Sequence, residues 1–217
     1  MKDKPVWQRQ RRAAREAPPL TREKIVAEAV ALLDEEGTAK LTMRRLAQRL
    51  DAGPTTLYWH VDTKDDVLDL ALDAVFGEVV LPEPTGDWRA DVRALVTGWR
   101  AAMLRHPWSA ALVGRPMVGP NVLARTEFLY AALVRAGFTK AALATAAHGL
   151  ANYVTGSALT LTTARSEDGL VAAEYLVEQW ESYPTLVDNG HLREEDWDAV
   201  FAQGLESFMD GLESLRS

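Results

Sequence analysis

The side chains best suited to binding a nucleic acid are closely spaced in one part of the chain, between residues 42 and 64. They can hydrogen-bond to phosphates or to base edges, and they are Arg44, Thr55, Thr56, Tyr58 and His60. In the second half of this stretch the apolar residues Leu57 and Val61 stand four apart, so they share one helical face and leave the polar groups on the other. The chemistry that this arrangement indicates is recognition of DNA.

The remaining reactive side chains form no catalytic pattern. The histidines are scattered, at His60, His106, His148 and His191. The sequence has no His-Glu-x-x-His, no Gly-x-Ser-x-Gly and no glycine-rich phosphate loop, and its acidic pairs are typical of helix starts. With no cysteine, disulfides, thiolate metal sites and a cysteine nucleophile are excluded. The sequence therefore predicts neither an enzyme nor a metal site.

Two short helices separated by a turn must position the DNA-binding groups. In the first, Leu41–Leu50, apolar residues recur at helical spacing and Thr42 can cap the first turn. Outside the apolar stripe lie Arg44, Arg45, Gln48 and Arg49. Gly53 is expected to tolerate positive φ in the turn, and Pro54 to open a second helix that runs to about His60. This is the pattern of a helix-turn-helix, although an ordinary helical hairpin in a bundle would look similar.

Amphipathic helices flank the pair. The first runs from Thr21 to Gly37, which is a plausible C-terminal cap. The other begins at Thr63 and continues to about Val80. A linker by composition follows, Leu81–Gly86.

Residues 20 to about 80 resemble the N-terminal domain of the TetR family of transcriptional repressors. The resemblance rests on Thr21–Gly37, Leu41–Ala47, the tetrapeptide Leu57-Tyr-Trp-His60 and Lys64, and it extends more weakly through the rest of the chain. It implies an all-α protein with an N-terminal three-helix DNA-binding domain and a larger C-terminal helical domain for ligand binding and dimerisation. The expected divisions are a basic arm at 1–19, the helix-turn-helix domain at 20–66 and the C-terminal domain at 67–217.

The resemblance also assigns individual DNA contacts. Arg44, Thr55 and Thr56 are expected at base edges or nearby phosphates. The residues expected to position the DNA backbone are Thr42, Met43 through its amide, Tyr58, His60 and Lys64. Pro54 is expected to touch a thymine methyl group.

The charge distribution supports this location, although the net charge of −7 at first argues against a nucleic-acid binder. Residues 1 to 64 carry 13 Lys and Arg against 9 Asp and Glu, and the remainder carries 11 against 22. The basic side chains of the arm are Lys2, Lys4, Arg9, Arg11, Arg12 and Arg15. They fit either contact with phosphates and a minor groove or a solvated tail, and the first helix could also begin earlier, near Val6.

Composition is that of a globular protein that stays in the cytoplasm. The chain has 217 residues, of which 47% are hydrophobic, which is enough for a sizeable core. No apolar run approaches the length of a membrane span, and the charged N-terminus has no apolar signal segment behind it.

Beyond the linker the sequence predicts helices only. Their expected ranges are Asp87–Arg105, Val122–Ala136, 141–165 and 196–215, with an irregular proline-containing passage after the first. Small residues on one face of 141–165 allow a second helix to approach closely. The resemblance implies that 141–165 and 196–215 form a homodimer interface, whereas the sequence alone also allows an intrachain core.

A small hydrophobic or aromatic ligand is the expected effector. Its candidate contacts are Trp99, Met103, Trp108, Arg115, Met117, Phe128, His148, Asn152 and Thr155. Polar groups on the 141–165 helix could equally satisfy one another, and aromatics at helical spacing could equally be core.

The sensing region departs from the tetracycline repressor. Gly114-Arg115-Pro116 resembles that repressor's Thr-Arg-Pro, but Ala111 occupies the metal-ligand histidine position, and the partner glutamate falls near Thr160. Neither side chain suits a magnesium chelate. We therefore expect a repressor released from a palindromic operator by a different effector, with no cofactor. The alternative is a helical adaptor that binds no DNA.

Overall fold

The computed structural model describes residues 20–190 and 196–216, and the expected basic arm at 1–19 lies outside these residues. The described residues are all-α, with eleven helices and no strand, so the predicted fold class is confirmed. The helices are α1 Arg22–Glu36, α2 Met43–Arg49, α3 Pro54–Leu57, α4 Lys64–Gly77, α5 Trp88–Arg105, α6 Pro107–Ala110, α7 Pro120–Arg135, α8 Lys140–Ala164, α9 Glu167–Glu178, α10 Pro184–Asp188 and α11 Trp197–Glu213.

Contacts divide the described chain into two compact units. The first unit contains residues 20–82 and 101–129, and the second contains 83–100, 130–190 and 196–216. The divisions fall inside α5 and α7, so each of these helices contributes to both units. The functional division at residue 66 remains a prediction.

In the first unit, threonine side chains begin three of the helices as predicted. Thr21 accepts from the backbone of Lys24, and Thr42 accepts from the backbone of Arg45. At α4, Thr63 and Asp66 form a reciprocal capping box, which pairs amides that the first turn would otherwise leave unsatisfied. Because each cap joins residues three apart in sequence, the local sequence determines where these helices begin.

The turn between α2 and α3 differs from the prediction in two respects. The left-handed residue is Asp51, with φ of 48°, and not Gly53. Asp tolerates this conformation better than most residues because its short side chain can bond locally. The second helix is also shorter than expected: α3 ends at Leu57, and turns closed by Trp59 N to Thr56 O and His60 N to Leu57 O replace its final part.

The core of the first unit holds these elements together through apolar side chains. The buried residues include Ile25, Leu32, Leu46, Leu57, Val61, Val67 and Phe76. Because α1, α2, α3 and α4 all contribute, the two short helices are anchored to longer ones. Tertiary packing of this kind stabilises helices too short to persist alone.

The second unit buries one face of α5, as its spacing predicted, with Val92, Leu95 and Val96 fully enclosed. Tyr153 of α8 stacks on Phe201 of α11, with ring centroids 5.4 Å apart, and donates to the Phe201 carbonyl at 2.8 Å. These contacts tie α8 to α11 within one chain.

Three helices were not predicted: α6, α9 and α10. Both α6 and α10 are short and have proline in the first turn, where its missing N–H costs nothing. The third, α9, begins at Ser166, whose side chain accepts from Gly169 N, but it exposes Leu170 and Val171, which blurs its apolar periodicity. Among the described residues, no helix combines the length and apolar character needed to cross a membrane.

Candidate nucleic-acid interface

Arginines on α2 are divided between internal ion pairs and solvent. Arg45 donates to Glu36 of α1, while Arg49 pairs with Glu28 and Glu35 of the same helix. The hydrogen bond from Arg49 holds the pKa of Glu35 below its ordinary value. These pairs fix the basic side of α2 against α1.

Arg44 is exposed and, unlike Arg45 and Arg49, makes no ion pair within the described part of the chain. From helical spacing alone, Arg44, Arg45 and Arg49 were expected to form one basic face. Since two of the three are neutralised by α1, the available cation of α2 is Arg44.

The segment from α3 to Val61 presents its polar side outward. Leu57 and Val61 are buried, as their spacing predicted, while Thr55 is exposed and the Tyr58 side chain is 45% exposed. The two buried residues anchor this segment, so its outer side chains are held at fixed positions relative to α2.

Two long side chains connect the segment from α3 to Val61, called the reading segment below, to its surroundings. Arg22 of α1 donates to the carbonyl of His60 at 3.1 Å. Lys64 donates from Nζ to the carbonyl of Thr38 at 2.9 Å, so it links the start of α4 to the turn between α1 and α2. An ammonium has three donors, and this bond uses one of them.

The structure therefore places the predicted DNA contacts in two groups. Exposed are Thr42, Arg44, Thr55 and Tyr58, and half-buried are Met43, Thr56, His60 and Lys64. Pro54 begins α3. Thr42 has the additional task of capping α2, and the contact of each residue with DNA stays a prediction.

Trp59 was missed by the sequence analysis. Its side chain is 49% exposed and follows Tyr58 directly. A large exposed aromatic residue beside polar DNA-binding candidates is available for contact with sugar or base. The signal was present in the sequence, because Trp59 lies midway between the inward-facing Leu57 and Val61.

Three carboxylates of α4 accept hydrogen bonds from residues 115–122, which precede and begin α7. Arg115 donates to Asp69 at 2.6 Å and to Asp65 at 3.1 Å. One turn further along, buried Asp73 accepts from Asn121 Nδ2 at 2.9 Å and from Val122 N at 3.0 Å. Because the three aspartates are four residues apart, they share one face of α4.

Arg125 makes further hydrogen bonds at the C-terminal end of α4. This buried guanidinium donates to the carbonyls of Gly77 and Val79 at 2.9 and 2.6 Å. Carbonyls at a helix end lack intrahelical partners, so a cation there both pairs them and complements the helix dipole. Movement of residues 115–125 would therefore displace contacts along the whole length of α4.

His106 lies between two acidic side chains of the first unit. Its Nδ1 is 2.8 Å from Asp34 Oδ1, and its Nε2 is 3.0 Å from Glu78 Oε1. Asp34 also accepts from Trp108 Nε1 at 2.7 Å, and Glu78 accepts from Arg105 at 2.7 Å. Partial burial opposes ionisation of Glu78, but the hydrogen bonds and charges of Arg105 and His106 hold its pKa below the ordinary value.

The predicted effector contacts are distributed over both units. In the first unit Met103 and Trp108 are buried, and Arg115, Met117 and Phe128 are half-buried. In the second unit Trp99 is buried, Thr155 is half-buried, and His148 and Asn152 are exposed. Two of them have defined polar partners within the first unit, Trp108 at Asp34 and Arg115 at α4. Their contact with an effector stays a prediction.

Within the described ranges, no group of three or more His, Asp or Glu side chains could hold a metal ion. Ala111, at the position of the tetracycline repressor's histidine ligand, is exposed after α6.

Comparison with known proteins places both parts of the chain near bacterial regulators. Residues 25–71 match the family model described as bacterial regulatory proteins, tetR family, and residues 81–216 match the model for a tetracyclin repressor-like C-terminal domain.

Individual relatives match most of the chain. The chain is 47% identical over 213 residues to an HTH-type transcriptional regulator of Saccharopolyspora erythraea, covering 95% of this chain and 90% of the relative. It is 33% identical to the HTH-type transcriptional repressor DrrR1 of Streptomyces coeruleorubidus, covering 97% and 84%. The structure of Streptomyces coelicolor ActR in complex with actinorhodin matches with a TM-score of 0.78 at 35% identity, covering 89% and 95%.

Proposed function

Since the chain belongs to the tetR family of bacterial regulatory proteins, we propose that it is a homodimeric repressor which a small lipophilic effector releases from a palindromic operator. Its DNA-binding, regulatory character follows from the family. Repression, the release by ligand and the action of the protein in the cytoplasm are proposed.

The observation that carries DNA binding is the exposed surface formed by Arg44 on α2 and Thr55 and Tyr58 on the following segment. Its supports are internal: Thr42 caps α2, and Leu57 and Val61 anchor the second segment in the core. A preorganised surface of this kind binds without first ordering its side chains. We assign Arg44, Thr55 and Thr56 to base edges or adjacent phosphates, and the other predicted contacts to the DNA backbone.

Two copies are proposed because one helix-turn-helix reads only a half-site. A two-fold dimer places two reading segments about 34 Å apart, one turn of DNA, which matches a palindrome. We propose α8 and α11 as the interface. In the single chain these helices expose apolar and small residues, among them Gly156, Leu159 and Val200.

A small-molecule effector is supported by the likeness to ActR, whose structure is a complex with actinorhodin. A magnesium chelate of tetracycline is disfavoured, because Ala111 and Thr160 offer neither imidazole nor carboxylate. We propose that effector binding shifts α4 and so changes the separation of the two reading segments. A differential affinity of about 1–3 kcal/mol between the two arrangements would suffice for release.

The proposal is tested by selecting bound sequences from a random duplex pool, with and without actinorhodin as the first probe of a panel of lipophilic aromatic compounds. We expect a palindrome in the absence of effector and its loss with one compound. On the selected duplex, Arg44→Ala should flatten the dependence of log K on log salt by about one unit, and Tyr58→Phe should weaken binding.

The matched control is Arg93→Ala. Arg93 is also an exposed arginine, but it lies on α5 and pairs with Glu206. If Arg44→Ala and Tyr58→Phe bind like the unaltered protein at the same salt concentration, the assignment of the interface fails. If no duplex is enriched, the chain is a helical adaptor and not a repressor.

A further inference from the structure

His106 is a buried histidine that DNA recognition does not use directly. Its side chain is 11% exposed, and its two ring nitrogens face carboxylates from different elements, Asp34 of α1 and Glu78 just after α4. The charged group of the adjoining helix is Arg105 at the end of α5, which pairs with Glu78. From α6 comes the uncharged Trp108, whose ring lies edge-on to the imidazole at 6.3 Å.

The hydrogen-bonding capacity of the imidazole decides which form of His106 fits this site. A neutral imidazole has one N–H donor and one acceptor nitrogen, and an ionised carboxylate can only accept. A neutral His106 would therefore place one unprotonated nitrogen against a carboxylate oxygen with no proton between them. Only the imidazolium donates to both Asp34 and Glu78.

The two carboxylates also accept hydrogen bonds from an indole and a guanidinium, groups that can only donate. Trp108 Nε1 donates to Asp34 at 2.7 Å, and Arg105 donates twice to Glu78, at 3.2 and 2.7 Å. Hydrogen bonds to a carboxylate favour its charged state. The proton that completes the pair of contacts therefore belongs on the histidine.

Both partners of His106 belong to helices that position the DNA-reading segment. Asp34 is on α1, which holds α2 through its ion pairs with Arg45 and Arg49. Glu78 caps the end of α4, whose first residue Lys64 is bonded to the turn after α1. A contact that joins Asp34 to Glu78 therefore fixes α1 relative to the end of α4.

We propose that His106 is a proton-dependent clamp between α1 and α4, a positioning residue that makes operator binding sensitive to pH. This rests on the proposed function in so far as the readout is DNA binding. The clamp is complete while the imidazole is charged and both acids are ionised, and it weakens when the imidazole loses a proton as pH rises. Operator affinity should therefore fall as pH rises.

Operator affinity at fixed salt, measured at about pH 6 and about pH 8.5 with the selected duplex, tests the clamp. The unaltered protein should lose at least about five-fold in affinity between these pH values. His106→Gln removes the titrating ring and should flatten the curve. The control is Arg93→Ala, because Arg93 lies on α5 outside the clamp and pairs with Glu206, and this variant should keep the pH dependence of the unaltered protein.

Asp34→Asn gives a sharper test and should fold normally. The amide oxygen can still accept from Trp108, while its NH2 group donates to an unprotonated ring nitrogen. A neutral His106 can then satisfy Asn at 34 and Glu78 together. We expect binding by Asp34→Asn to lose its dependence on the charge of His106, although both side chains remain in contact.

A measurement without DNA separates this inference from the proposed function. The difference in thermal stability between the unaltered protein and His106→Gln should be largest near pH 6 and shrink by about pH 8.5. A difference that stays constant with pH, or an operator affinity whose slope is the same in His106→Gln and Asp34→Asn as in the unaltered protein, would overturn the clamp. Failure to bind any duplex, with a pH-dependent stability difference, would reject the repressor and keep the clamp.

Discussion

Arg115 donates through Nε to Asp69 Oδ1 at 2.6 Å, which connects the segment before α7 to the middle of α4. The same guanidinium reaches the Asp65 side chain at 3.1 Å, so one residue holds two successive turns. Lysine is a single point charge and cannot reproduce this fork. We expect Arg115→Lys to lower the free energy of unfolding by about 0.5–1.5 kcal/mol and to weaken any effector response.

Chemical denaturation provides the measurement, with Arg93→Lys as control. Arg93 also donates twice to one carboxylate, Glu206, but it is much more exposed. Exposed pairs contribute little, so Arg93→Lys should change stability by less than about 0.5 kcal/mol. Equal losses in the two variants would mean that Arg115 has no special hold on α4.

Gly119 lies directly against the Asp73 carboxylate. A Cβ at this position would overlap Asp73 Oδ1 and come within 2.7 Å of the Asp73 Cβ, so the buried aspartate would have to leave Asn121 and Val122. We expect Gly119→Ala to cost about 1–3 kcal/mol of folding stability, measured by urea denaturation.

Gly114→Ala is the control for this substitution. A Cβ at Gly114 meets nothing within 4 Å, so alanine should be neutral or slightly stabilising there, by up to about 1 kcal/mol. If both alanines are tolerated alike, Asp73 is not held where its contacts place it.

Thr42 combines two tasks that substitution can separate. Its hydroxyl accepts from Arg45 N at 3.2 Å and so caps α2, and the side chain is also a predicted backbone contact for DNA. Thr42→Ala should lower stability by about 1 kcal/mol and weaken DNA binding. Thr42→Ser keeps the hydroxyl and should restore both. Thermal unfolding measures the stability of both variants, and a binding titration measures their DNA affinity. If Thr42→Ser were as impaired as Thr42→Ala, the methyl group and not the hydroxyl would be responsible.

Asp91 should make the second unit sensitive to acid. Its burial opposes ionisation, but hydrogen bonds from Thr85 N at 2.9 Å, from Thr85 Oγ1 at 2.8 Å and from Arg135 at 3.3 Å hold its pKa below the ordinary value. A carboxyl whose pKa is lower in the folded state stabilises the fold above its unfolded pKa. That stability is lost as pH falls through the folded pKa.

Asp91→Asn should therefore cost about 1–3 kcal/mol near neutral pH, since bonds to a charged acceptor are lost. The difference from the unaltered protein should shrink below about pH 4. Melting curves across this range measure it, with the exposed Asp188→Asn as control. A gap that does not narrow on acidification would contradict the role of the charge.

Local signals explain why much of the fold could be predicted from the sequence. Thr21, Thr42 and Thr63 mark helix starts within three residues of the amides that they cap. Gly53 and Pro54 located the turn after α2 in the same way, but positive φ was expected at Gly53, whereas Asp51 adopts it. A glycine shows where such a conformation is cheap and does not show where it occurs.

Contacts distant in sequence were beyond prediction. From the sequence Arg49 was one of the basic residues outside the apolar stripe of the first short helix, but the fold brings Glu28 and Glu35 beside it. His106 looked isolated because its partners Asp34 and Glu78 are 72 and 28 residues away. Neither relationship leaves a trace in periodicity or spacing, so the charge balance of the candidate interface could be read only from the structure.

Gly156 offers a direct test of the proposed dimer. It is exposed on α8, and a Cβ there meets nothing within 4 Å in the single chain. Leucine should therefore fit the monomer and even favour the helix, because glycine is a poor helix former. At a closely packed helix interface the same side chain would cost about 1–3 kcal/mol, which weakens association by at least about five-fold.

Sedimentation equilibrium measures the dimer of Gly156→Leu, and operator affinity should fall with it, because a lone reading segment contacts one half-site. The control is Ala94→Leu, an exposed position on α5 outside the proposed interface helices. It should leave the association constant unchanged. Were Gly156→Leu to dimerise as tightly as the control, the small-residue face of α8 would not be where two copies meet, and the interface would have to be sought elsewhere on the second unit.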